Sequence, residues 1–551
     1  MGNTKASAIR LCGALALGLV AAFGCAAQTR PDARALGEQA ELYLRDLVRQ
    51  NRFGGAVLVA RDGEVLLHKG YGMADLENDV PNVAETKFLI GSVTNQFTAV
   101  SVLMLSERGK LDLRDPVCKY VDGCPEEWRP MTIRHLLTHA SGLPDYNTFA
   151  ATDPSAASPA LAVVERLKKK PLEFKPGEKF GFSNPGYILL GLVIEKVSGA
   201  SYENFLRENI LAPLKMNDTG YDKPLEIVKR RASGYLRRGS ENVKAPCYDV
   251  TPHHASGALY STVRDLYVWD QALSAGKLIS RKALDEMTKP QQANYGYGVF
   301  VDDRFSLRRV SHAGDMPGFN SFIARYPEQN ALVVVLSNYA GTNPLEVGGK
   351  LTNIYLNDKI VAPAVAGLDA ELLKEYVGRY TVEAKASSNF VFDVTLEGGQ
   401  LWAKPSHFEK HRLIPFSKTE FYDEEDLGDT QYVFTRDDKG KVNGFVHREP
   451  ADSFVAYKVE LPPPSLKGNT TFRLKGHADA SVVALAGSFN NWQQTHTLFA
   501  REGDEWVCRV DLPPGKHAYK FVVDGNWMLD PGNPRTENDG NGNVNSILIT
   551  R

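Results

Sequence analysis

Cysteine is scarce in this chain. Six occur in 551 residues, and none recurs at the spacing of a zinc or iron–sulfur site, so no cysteine-held metal is expected. Charge of one sign is lacking too: 64 Lys and Arg stand against 66 Asp and Glu, for a net charge of -2. There is no basic stripe with interleaved aromatics, and nucleic acid is not an expected partner. The run Arg166 to Lys170 is short and reads as a solvated helix face. After Phe23 no apolar run is long enough to span a bilayer.

The ends and the punctuation carry more. Lys5 and Arg10 precede an apolar run from Leu11 to Phe23, the pattern of an export signal over residues 1–27. Cleavage after Ala27 fits the small residues there, and lipidation through Cys25 is the alternative. The expected location is periplasmic or secreted. Cys12 and Cys25 belong to that segment. Cys118 and Cys124 flank "CKYVDGC", where an exported chain would close a local disulfide. Cys247 and Cys508 read as isolated buried thiols.

A chain of this length exceeds one ordinary core, so several domains are expected. Residues 33–360 mix helical and strand patterns. "GAVLVARDGEVLLHKGYG" reads as a hairpin, "GYILLGLVIEKVSG" as a buried helix and "ALVVVLSN" as a buried strand. From Ser92 the apolar set Val93, Phe97, Val100 and Leu103 has amphipathic helical spacing, with Gly109 as its stop. Strands at both ends suggest an α/β sandwich whose sheet joins the two termini. Pro363 and Gly367 mark a boundary. Beyond it, 368–460 reads as a small β-barrel or sandwich, with Phe392, Val394 and Leu396 alternating against Asp393, Thr395 and Glu397. Pro462 to Pro464 form a stiff linker. The segment 465–551 is again β, with Trp506, Cys508 and Val510 alternating against their neighbours.

The landmarks "KFLIGSVTNQFTA", "MTIRHLLTHASGLPDY", "FGFSNPGYILLG", "HHASGALYSTVRDLYVW", "YGYGVF" and "HAGDMPGFNS" come in a recognisable order. The first segment thereby resembles the serine hydrolases related to class C β-lactamases, D-alanyl-D-alanine carboxypeptidases and esterases. The resemblance implies a β-lactamase/penicillin-binding-protein-like α/β sandwich. It implies Ser92 as nucleophile, Asn184 as holder of the substrate amide, and His312, Ala313 and Gly314 as the strand facing the serine. The backbone N–H groups of Ser92 and Asp315 would form the oxyanion hole.

The departures fall at the proton carriers. Asn95 stands where the family has a lysine, one helical turn from the serine. Phe182 stands where it has a tyrosine. An amide binds no proton near neutral pH, and a phenyl ring has no polar atom. A serine without a base is a weak nucleophile, so acylation slowed by at least about 10³-fold is expected. His312 could rescue it as base in a dyad with Ser92, or could only line the pocket. His139 reads as a packing residue behind the site. His253 and His254 lack a carboxylate at ligand spacing, so no metal is expected.

A second resemblance follows from "AGSFNNWQQ", "DLPPGKHAYKFVVDGNWMLDP" and "NGNVNSILI". These look like the glycogen-binding module of the AMP-activated kinase β subunit, which implies an immunoglobulin-like β-sandwich. They also imply a sugar platform of Trp492, Lys520, Trp527 and Asn545. Turn positions favour exposure of both tryptophans; the plainer alternative is that they are core. Three functions stay open: an acyl- or peptide-binding protein that hydrolyses weakly or not at all, displayed on α-glucan; an active serine hydrolase using Ser92 with His312 or another base; and a non-enzymatic polysaccharide binder. None implies a cofactor.

Overall fold

The computed structural model describes residues 33–550 except 146–159, 224, 239–240, 247, 305–306, 357, 360–367, 383–390, 407–409, 425–429, 449–452, 478–479, 481, 494–495 and 540–543. The export segment, Cys247 and the boundary at Pro363 and Gly367 lie outside the described residues.

The first domain is built on a six-stranded antiparallel sheet. Its order is Phe300–Arg304, Leu307–Met316, Phe319–Tyr326, Ala331–Ser337, Gly55–Arg61, Glu64–Tyr71. The first strand of the chain pairs with the last of the domain, from Gly55 opposite Ser337 to Arg61 opposite Ala331. Both strands are apolar throughout because both faces are covered. Ala56, Leu58 and Ala60 pack toward helices Thr94–Glu107 and Val263–Ser274. Val57 and Val59 pack toward helices Ala33–Arg49 and Pro344–Leu356.

The helix after Ser92 departs from the amphipathic expectation. Every residue from Thr94 to Leu105 is buried. Two of its polar side chains find partners across the fold: Thr98 Oγ1 donates to Ala255 O at 2.7 Å, and Gln96 accepts from the Trp269 indole at 3.3 Å. It runs through the core between the sheet and helix Asn184–Ser198, which stops at left-handed Gly199 (φ 76°). Cys118 and Cys124 form a disulfide.

Residues 378–459 form a closed barrel of eight antiparallel strands. Tyr380, Phe392, Tyr432, Phe434 and Phe445 fill it. The period-two reading of Val391–Glu397 fails at Asp393, which points away from that core yet is buried. Arg379 opposite it explains why: its guanidinium donates to both carboxylate oxygens, at 2.7 and 2.6 Å.

What covers this pair is the third domain, a sandwich of a three-stranded and a five-stranded sheet around Phe472, Leu485, Phe499, Cys508 and Phe521. Here too alternation is blurred, since Val507 is as buried as Cys508. The turn Asp524–Gly525 presses on the barrel. Asp524 lies 3.7 Å from Arg379 and 3.5 Å from Lys404. Gly525 has φ 81°, and a Cβ there would fall 2.3 Å from Ser406 Oγ, so only glycine fits this contact.

Candidate active site and sugar platform

Ser92 sits in a short 3-10 turn, Gly91–Val93, that feeds the buried helix. Two glycines let the facing strand come close. Gly91 has φ 49°, and a Cβ there would lie 2.8 Å from Asp315 N; one on Gly314 would lie 2.1 Å from Ile90 O and 2.9 Å from Ser92 N. Ser321 ties the turn down by donating to Ile90 O at 2.8 Å. The backbone around Ser92 and that around Asp315 are thereby brought into close approach.

Behind Ser92 the chemistry is neutral. Asn95 is fully buried, and neither atom of its amide has a well-aligned hydrogen bond although it lies against the Tyr295 hydroxyl. Each unmet buried polar group costs about 1–3 kcal/mol, so the amide is a poor structural choice for this position. Phe182 packs its ring 4.2 Å from that of His139 and 6.4 Å from that of His312. His139 is buried, takes the Ser183 N–H on Nδ1 at 3.2 Å, and is held well below the ordinary imidazole range by burial.

His312 does not reach Ser92 by a hydrogen bond. Its Nδ1 is 2.6 Å from Ala313 O and must donate, which leaves Nε2 to accept from the Tyr295 hydroxyl at 3.0 Å. Burial pushes His312 down to about 4 and raises the Tyr295 phenol. Asn184 gives its backbone N–H and its side-chain amide to Asp145 Oδ1, at 3.1 and 3.3 Å. Tyr295 and Asp145 were missed as site residues, though both lie inside quoted landmarks; nothing local sets a buried tyrosine hydroxyl apart from a core ring.

His253 and His254 each meet a tyrosine hydroxyl, of Tyr248 at 2.7 Å and Tyr221 at 3.2 Å. Among the described residues no cluster of three or more His, Cys, Asp or Glu is placed to hold a metal ion, and no helix is long and apolar enough to cross a membrane.

These buried histidines set an acid limit. His253, His254, His312 and His447 are all pushed down to about 4 by desolvation, against an ordinary 6.5. Between those values the unfolded chain binds protons that the folded chain refuses, so stability falls as pH drops from about 6.5 toward 4. Asp222 and Asp270, raised to about 6 by burial, act in the opposite direction and offset part of the loss. The expected net result is a lower urea midpoint for the first-domain transition at the acid end of this window. An unchanged midpoint would show that these imidazoles are not desolvated.

In the third domain three of the four sugar-platform positions fall on one sheet, and Trp492 lies in the turn that follows its strand Val483–Gly487. Lys520 pairs with Ala486 and Trp527 with Val522. Asn545 lies one step beyond the Tyr519–Ser546 pair, on the Lys520 side. Trp492 and Trp527 are half-buried, between the exposed and the core alternatives; they rest on Ala484, Ala486, Leu498 and Val522. Their rings stand 6.2 Å apart at 43°. Trp492 takes a left-handed φ of 60° in a turn that Asn490 pins by donating to Leu485 O at 2.8 Å.

Comparison with known proteins agrees with both halves of this description. The beta-lactamase family model matches residues 34–352, and the model for the glycogen recognition site of AMP-activated protein kinase matches 469–551. Penicillin-binding protein 4* of Bacillus subtilis is 30% identical over 407 residues, covering 68% of this chain and 89% of that protein. The octameric penicillin-binding protein homologue from Pyrococcus abyssi aligns with a TM-score of 0.55 at 26% identity, over 77% of this chain and 100% of that one. The D-amino acid amidase from Ochrobactrum anthropi SV3, complexed with D-phenylalanine, aligns with a TM-score of 0.54 at 25% identity, over 59% of this chain and 100% of that one. The chain belongs to the β-lactamase and penicillin-binding-protein family of serine hydrolases, and carries a glycogen-recognition module at its C-terminal end.

Proposed function

We propose that the first domain binds an acyl or peptide ligand at Ser92 and hydrolyses it slowly or not at all, while the last domain holds the protein on an α-glucan. The observation that carries this reading is the neutral pocket behind Ser92. Asn95 and Phe182 occupy the positions of the family's proton carriers, burial keeps the Tyr295 phenol protonated, and both nitrogens of His312 are engaged. The Ser92 and Asp315 backbones, the oxyanion donors that the family resemblance implies, still approach closely, so binding outlasts chemistry. The amidase relative, complexed with an amino acid, supports a ligand of the aminoacyl or peptide class. Export is part of the proposal, supported by the disulfide Cys118–Cys124 and the N-terminal apolar run.

Hydrolysis of nitrocefin and p-nitrophenyl esters by the native protein and by Ser92→Ala tests the first half. Both are expected near background. Brisk native turnover that vanishes in Ser92→Ala would overturn the reading in favour of a working hydrolase. For the second half, retention on amylose is expected to weaken about tenfold or more in Trp492→Ala and in Trp527→Ala, because the two rings together supply the aromatic area offered to a sugar face. Equal retention of native and variant proteins would remove the glucan.

A further inference from the structure

The first domain holds a second cleft, of about 540 Å³, between helices Val263–Ser274 and Arg281–Met287 and the sheet. That volume is in the range of small-molecule sites. Ser92, Asn95, Phe182 and Asn184 do not line it. It lies behind them: Val310, in its wall, is two residues before His312 on the same face of one strand, and Gln96, also in its wall, follows Asn95. Trp269, Met287, Val299, Val310 and Ile323 supply part of its apolar floor, and charged and polar side chains make up the rest of the wall.

Its charges are unevenly matched. Arg325 donates to Asp270 at 3.0 Å, and Arg281 to Asp285 at 2.9 Å. Among the described residues no carboxylate pairs with Arg308. Its half-buried guanidinium donates to the carbonyl of Thr288 at 3.2 Å, and its cross-strand neighbour Asp303 forms no ion pair with it. At the exposed rim, Lys289 and Glu328 offset each other in charge. Arg308 is therefore a cation set against a partly apolar cleft, with most of its five donors unused. A planar guanidinium in that state matches a carboxylate in both charge and shape.

We propose that this cleft is a binding site for an amphiphilic monoanion, an acyl or aryl carboxylate, with the carboxylate on Arg308 and the apolar body over Leu273, Leu284 and Val310. The site is independent of whether Ser92 performs chemistry. Calorimetric titration of the full chain with sodium octanoate tests it, with 1-octanol as the uncharged comparator. Octanoate is expected to bind with a sub-millimolar Kd, about tenfold or more tighter than octanol. Arg308→Gln is expected to erase that preference, while Arg308→Lys retains part of it and Ser92→Ala leaves it intact. Equal affinity for the acid and the alcohol, no octanoate binding at millimolar concentration, or undiminished binding by Arg308→Gln would each overturn the site. So would loss of binding in Ser92→Ala, which would place the ligand in the serine cleft instead. If Arg308→Gln does not fold, the native protein decides: octanoate affinity must fall as salt rises, and a salt-independent Kd rules the ion pair out.

Discussion

Restoring both proton carriers, Asn95→Lys together with Phe182→Tyr, is expected to raise the rate of Ser92 acylation by about 10²–10⁴-fold over the native chain. The geometry favours the gain. Residue 95 is one helical turn from Ser92, so a lysine amine would share its face. The site is fully buried, which lowers a lysine pKa and turns the amine into a base at neutral pH. It would also gain the Tyr295 oxygen as an acceptor, where the amide makes no aligned hydrogen bond. Phe182→Tyr adds one hydroxyl to a half-buried ring already fixed against His139. The two groups act as a unit, so each single variant should recover much less than the pair. The measurement is the burst of p-nitrophenol from an ester, with Ser92→Ala added to the double variant as control. A folded double variant that acylates no faster would show that something other than proton transfer limits this serine.

Removing the cation at the barrel–sandwich contact is expected to be the most costly single change outside the cores. Arg379→Ala leaves Asp393 without its bidentate partner and Asp524 without its nearest guanidinium, all in buried positions. Stripping one partner from a buried pair costs about 3–5 kcal/mol, because the surviving charge stays desolvated. Asp524→Asn should cost far less: it lies 3.7 Å from Arg379 and retains a polar side chain for the Val482 N–H that it now accepts at 2.8 Å. Urea unfolding of the three-domain chain is not a single step, so the comparison belongs to the transition of the barrel. The expected order of damage is Arg379→Ala well above Asp524→Asn; the reverse order would mean that the contact between domains, not the pair within the barrel, holds Arg379 in place.

Much of the site was legible before any coordinates, because its signals are local. Ser92 after a glycine, Asn95 one turn on, and Phe182 two residues before Asn184 are all short-range facts. The strand that faces them was legible as a motif, "HAG", whose glycine is required by a close approach to Ile90 and Ser92. What stayed hidden depends on partners far along the chain. Asp393 follows an alternating pattern that should send it to water, and Arg379 with a third-domain turn keeps it dry. The Ser92 helix has an amphipathic spacing, yet its polar face is buried, with Thr98 and Gln96 held by Ala255 and Trp269, more than a hundred and fifty residues away. Nothing near Tyr295 in the chain signals that its hydroxyl meets His312.

The wedge formed by Asp524 and Gly525 has a mechanical consequence. Trp527 stands two residues beyond that turn, on the same hairpin, Gly515–Val523 with Asn526–Met528. On the proposed reading, a polysaccharide held on the indole is held at the end of the hairpin that is itself seated against Ser406 and Arg379. Glucan tension would load the barrel before it could peel the sandwich away, and immobilised chains would present the eight-stranded unit at one fixed heading from the polymer.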